Sequence, residues 1–147
     1  MDAMDTGMGL RVLDTMCLSP NSTTKVKAVG YMLNSQGVTV SNCWGKKARW
    51  MDYSGLVEEE MLGIAIFNHP DNRARRLDNT QDLMVFAVQI SLVKRYFEKL
   101  PYKYSGNYSL RKGQSITFKY RLYWYAGKGE AKKIEAQYRQ WVAAKGK

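Results

Sequence analysis

Polar and apolar positions alternate without a break from Ser115 to Tyr125. Ile116, Phe118, Tyr120, Leu122 and Trp124 fall on one side, and Thr117, Lys119, Arg121, Tyr123 and Tyr125 on the other. A period of two over that length predicts a β-strand, entered through a turn at Arg111-Lys112-Gly113-Gln114. After Gly127-Lys128-Gly129 the period changes. Ile134, Tyr138, Trp141 and Val142 then recur at i, i+4, i+7 and i+8, which predicts an amphipathic helix over Glu130 to Ala144 with Glu130 placed to suit its dipole. Upstream, Leu62 to Phe67 is a continuous apolar run whose length and β-branched content predict a buried strand. Lys25-Val26-Lys27-Ala28-Val29 alternates and is followed by Gly30, Asn34-Ser35 and Gly37, so a hairpin is expected between residues 25 and 41, with a further strand from Lys47 to Tyr53. Residues 1–23 offer only a short apolar segment, Met8 to Leu13, before a Ser-Pro-Asn-Ser turn cluster. No internal repeat is visible. The expected architecture is mainly β: an antiparallel β-sandwich, or part of one, with a C-terminal amphipathic α-helix.

At 147 residues the chain has the size of a single domain spanning 1–147, and its 45% hydrophobic content argues against global disorder. No apolar run approaches the roughly 18 residues of a membrane helix, and Met1-Asp2-Ala3-Met4-Asp5 lacks a signal-peptide pattern, so a soluble protein without a membrane partner is expected. Cys17 and Cys43 are the only cysteines and His69 the only histidine. That supply makes a disulfide framework or a native metal site improbable, and no cofactor is expected.

The net charge of +10 is unevenly placed. Residues 1–93 carry nine Lys and Arg against ten Asp and Glu, whereas residues 94–147 carry fourteen against three. Such a basic third, with aromatics interleaved in Tyr102-Lys103-Tyr104 and Lys119 to Tyr125, suits a nucleic-acid or polyanion partner. The competing reading is a solvated strand face and helix surface, since no nucleic-acid motif accompanies the charge.

Candidate chemistry gathers in a few places. His69, held extended by Pro70 at the end of the apolar run, is the candidate catalytic acid or base, with Asn72 beside it as a binding group; the alternative is a loop histidine that caps local backbone with Asn72. Trp44, Lys47 and Arg49, with Trp50, put cations among indoles, a grouping that suits sugar stacking and anionic groups. The alternative there is a strand with core tryptophans and snorkelling cations. Asp52 is expected to make a surface pair with Arg49 or Lys47. Glu58-Glu59-Glu60 reads as a solvated loop, Cys43 as a small buried hydrophobe, and Gly127-Lys128-Gly129 as a strand-to-helix connection.

Asn42-Cys43-Trp44-Gly45-Lys46-Lys47-Ala48-Arg49-Trp50-Met51-Asp52-Tyr53-Ser54-Gly55, Gly63 to Asn72, Gly9-Leu10-Arg11-Val12, Leu33 to Gly37 and Gly113 to Leu122 together resemble the PmoA-like family, a bacterial domain of unknown function also labelled "methane oxygenase PmoA". The resemblance implies a mostly β domain. It also implies a carbohydrate-associated binding or catalytic role, with a carbohydrate ligand, in a longer, periplasmic or secreted parent of which this chain is a truncated C-terminal portion. Methane oxidation does not follow, because the chain lacks the metal ligands and membrane spans it needs. After Asn72 the chain departs from that family's His-x-Arg-x-Tyr-Gly-Leu pattern. Met84 must be ATG and Val85 begins GT, so a frame displaced by two bases reads glycine across their junction, and neighbouring junctions permit the rest of the pattern. The expectation is a frameshift between Arg73 and Lys94. The alternatives are an authentic apolar element at Leu83 to Val93 and an inactive fragment.

Overall fold

The computed structural model describes residues 10, 12–20, 23–43, 48–72, 111–115 and 117–144. Four strands, β1 (Tyr31–Asn34), β2 (Trp50–Val57), β3 (Glu60–Asn68) and β4 (Tyr120–Ala126), pair antiparallel in chain order, and helix α1 (Ala131–Ala143) follows. Short 3-10 turns occupy Asp14–Met16 and Val40–Cys43. The protein is thus mainly β with a C-terminal helix, and the change from period two to period 3.6 at Gly127-Lys128-Gly129 marks the true boundary. Among the described residues, no helix is long and apolar enough to cross a membrane.

Strands β2 and β3 form a hairpin in full register from Trp50↔Phe67 to Val57↔Glu60. Its two turn residues, Glu58 and Glu59, both have positive φ, 49° and 72°. Left-handed turn residues match the right-handed twist of the strands, but glutamate adopts that backbone at a cost that Asn-Gly avoids. The Glu58→Asn, Glu59→Gly double variant is therefore expected to gain about 1 kcal/mol in chemical denaturation, with an unchanged m-value. Glu60 lies beyond the turn as the first residue of β3, and all three glutamates are exposed, as their sequence suggests.

The register sorts side chains into two faces. Leu33, Trp50, Asp52, Ser54, Ala65, Phe67, Tyr123 and Tyr125 share the face that α1 covers. There Ile134 and Tyr138 are buried against Leu33, Trp50, Ala65 and Phe67, with Trp141 and Val142 at the margin, so the predicted helical stripe is the one that docks. The opposite face buries Met32 and Met51 with Cys43, flanked by Leu18, Val38 and Tyr53. The segment around Met16 runs across this face: Thr15 Oγ1 donates to Leu56 O at 2.5 Å, and Val29 and Gly30 donate to Thr15 O and Cys17 O.

That docking explains why the expected hairpin at 25–41 is only partly present. Val29 and Gly30 bond the Thr15–Cys17 backbone, and the first strand begins at Tyr31. A tight turn does follow, with Asn34 Oδ1 accepting from Gln36 and Val38 N–H and Gly37 at φ 78°. The strand expected from Lys47 begins at Trp50 and runs on to Val57. The strand expected from Ser115 begins at Tyr120, because the backbone of Lys119 is bound by the side chain of Asn72. The turn at Arg111–Gln114 is present, with Gly113 at φ 85°. Residues 73–93, on which the frameshift reading falls, lie outside the described residues.

Candidate functional site

Strand β3 stops at Asn68 and the chain turns through Pro70 and Asp71, which brings His69, Asn72 and Arg49 to one end of the sheet. Asn68 N–H donates to Arg49 O at 2.9 Å, and His69 N–H to Lys119 O at 3.2 Å. Trp44 and Lys47 lie outside the described residues.

The residues gathered there are largely engaged. Asn72 Oδ1 accepts from Lys119 N–H at 2.6 Å, while its Nδ2 donates to Lys119 O at 2.5 Å and Asn68 Oδ1 at 2.7 Å. Its amide acts as a backbone substitute that holds the start of β4. His69 lies edge-on to Trp141, ring centroids 5.1 Å apart, and its Nδ1 accepts from Asp71 N–H at 3.1 Å. A neutral imidazole so held carries its proton on Nε2, which makes it a hydrogen-bond donor rather than a base at that nitrogen. The Asp71 carboxylate lies 3.3 Å from Nδ1 and 2.8 Å from Lys119 Nζ.

Arg49 turns to the helix. Its Nη2 bonds Glu135 Oε1 at 3.1 Å, and its guanidinium stands 6.0 Å from the Tyr138 ring centre. Trp50 Nε1 donates to Glu135 Oε2 at 2.6 Å and Arg139 Nε to Oε1 at 2.9 Å. Burial alone would raise the Glu135 pKa, but these donors and the charges of Arg49 and Arg139 hold it below the usual value.

Asp52 corrects an expectation. It does not lie at the surface, where a pair with a cation was expected: it is fully buried on the helix-covered face and accepts a hydrogen bond from Tyr125 OH. The register forces this, because Asp52 shares its face with Leu33, Trp50 and Ala65. Among the described residues its Oδ2 has no hydrogen-bond partner, and neither has Ser54 Oγ. Burial pushes the Asp52 carboxyl up to about 6, opposed by the Tyr125 hydroxyl and the Tyr53 backbone N–H. Tyr125 is raised in turn, by burial first and then by the hydrogen bond and charge of Asp52.

The other notable surface is one that the sequence pattern does not orient. Trp124, 67% exposed, lies with Tyr120 on the side of β4 turned away from α1, and Phe118, 45% exposed, lies two residues before that strand. The Phe118 and Tyr120 rings stack with centroids 6.3 Å apart and planes 18° off parallel. Alternation groups these residues but leaves open which face the helix takes; the helix takes Tyr123 and Tyr125.

Among the described residues, no three His, Cys, Asp or Glu side chains lie together so as to hold a metal ion. Cys17 and Cys43 are free thiols; Cys43 is buried, which pushes its thiol pKa up, and it donates to Val38 O at 3.0 Å.

No curated protein and no solved structure matches the chain. The resemblance to the PmoA-like family is overturned, because the family model that matches is a different one and nothing in the match points to PmoA-like proteins. The frameshift reading, which compared residues 73–93 with the PmoA-like pattern, loses its basis with it. The matching model is that of a family of unknown function, DUF6807, and since it matches residues 2–139 the chain belongs to that family.

Proposed function

We propose that this protein binds carbohydrate through Tyr120 and Trp124 of β4 and Phe118 just before it, and does not turn it over. One observation carries the reading: an indole 67% exposed on an antiparallel strand, with a second exposed ring, Phe118, two residues before that strand begins. Exposed rings fixed by a sheet lose little entropy on binding and offer apolar faces against which sugar C–H groups pack. Binding is favoured over catalysis because Asn72 and Arg49 are spent on structural bonds, His69 Nδ1 is occupied, and Asp52 is sealed under the helix. Among the described cations of the basic third, Lys119, Lys133 and Arg139 each sit on a carboxylate, which reduces the charge left for a polyanion.

The test is affinity electrophoresis in gels containing a panel of soluble polysaccharides. Retardation by at least one is expected, with Trp124→Ala weakening it about tenfold or more while circular dichroism is unchanged, as for an exposed substitution. Wild-type mobility unaffected by every polysaccharide, or a Trp124→Ala protein retarded as strongly as wild type, overturns the reading. Retention on nucleic acid that collapses with salt would put the basic surface in its place.

A further inference from the structure

Among the described residues, the seam between the sheet and α1 contains one acid with no counter-charge, Asp52. Asp52 meets Gly129 so closely that a Cβ there would overlap Asp52 Oδ2 and the Tyr125 hydroxyl. Gly129 immediately precedes the helix N-cap, Glu130, whose side chain makes no capping bond. Thus the unpartnered carboxylate oxygen presses on the hinge from which the helix is hung.

We propose that Asp52 is a proton-operated latch on the C-terminal helix, which docks firmly when the carboxyl is protonated and loosens when it ionises. A protonated carboxyl is neutral and keeps the Tyr125 hydrogen bond. An ionised one places a full charge among Leu33, Trp50 and Ala65 with a single side-chain donor.

Among the described residues, the groups around the seam do not supply the missing charge. On β4 they are Tyr123 and Tyr125, and on β1 Tyr31, whose ring holds Lys128 Nζ at 4.9 Å. On β3 Gly63 and Ala65 carry no titratable group, and on β2 Ser54 is neutral. At the helix start Lys133 is held by Glu130 at 2.7 Å, and one turn on Glu135 is held by Trp50, Arg49 and Arg139.

The direction follows from linkage. A carboxyl whose folded value, about 6, lies above its unfolded value of 3.8 lends stability that is complete below 3.8 and is lost as pH rises through 6. Glu135 has the opposite sign, its contribution lost only in acid below 4.5. Between pH 5 and 7.5, therefore, Asp52 is, of these two seam carboxylates, the one that changes state.

Hydrogen exchange of the full chain, read by mass spectrometry and corrected for intrinsic rates, tests the latch. Protection of residues 131–143 is expected to fall about tenfold from pH 5 to pH 7.5 relative to the β2–β3 hairpin, the ratio that those two carboxyl values imply. Asp52→Asn, which stays neutral and keeps an acceptor for Tyr125, should abolish the fall. Tyr125→Phe, which removes the bond that favours the anion, should move the transition to higher pH and serves if the first variant folds poorly. Equal wild-type protection at both pH values, an Asp52→Asn protein that still loosens, or a Tyr125→Phe transition at unchanged pH would overturn the proposal.

Discussion

In the Glu135→Ala variant, stability at pH 7 is expected to fall by about 3 kcal/mol, on the order of 10 °C in thermal midpoint. The loss comes chiefly from Trp50. Its indole is almost wholly buried and its Nε1–H has Glu135 Oε2 as acceptor at 2.6 Å, so truncation leaves a buried donor unsatisfied. The ion pairs add less, because the side chains of Arg49 and Arg139 are 44% and 75% exposed and solvent screens them. Glu135→Gln separates the two contributions. It keeps an acceptor for the indole and gives up the charge, so a cost of about 1 kcal/mol is expected. Denaturant titrations of the three proteins at pH 7 and pH 4 check this. Wild type should lose stability as pH falls below 4.5, the ordinary value beneath which Glu135 is held, and the alanine variant should lose less. An alanine variant as stable as wild type would show that the clasp holds nothing.

Gly129→Ala is expected to cost about 3 kcal/mol as well, for steric rather than electrostatic reasons. The added methyl would overlap Asp52 Oδ2 and the Tyr125 hydroxyl, which are tied to each other in the seam. The signature is non-additivity. Shortening Asp52 to alanine makes room for the new methyl, so the Asp52→Ala, Gly129→Ala pair should lose about 1 to 2 kcal/mol less than the sum of the single variants. Additive losses in a denaturant double-mutant cycle would mean that the two residues do not share the space the geometry gives them.

The elements that could be read from the sequence are those in which one period dominates. Leu62 to Phe67 lies inside the central strand β3, and Ile134, Tyr138 and Trp141 mark the docked helix. Strand ends were less legible because side chains set them: Asn72 takes the backbone of Lys119, and Thr15–Cys17 takes that of Val29 and Gly30. The candidate site was legible in location more than in role. His69, Asn72 and Arg49 do share one end of the sheet, but their partners, Trp141, Lys119 and Glu135, lie 47 to 86 positions away along the chain. For Asp52 the misleading signal was proximity, since the nearby Arg49 and Lys47 suggested a surface pair. The strand register alone decides that it points under the helix. Trp124 was hidden by symmetry, because both faces of β4 carry aromatic rings and local sequence does not break the tie.

The amide of Asn72 supplies both a donor and an acceptor to Lys119, so it extends the ladder by one rung after β3 has ended. That rung joins two points 47 residues apart without using the chain between them. The alignment of β4 on β3 at this end therefore depends on an asparagine on one bank and a free backbone on the other.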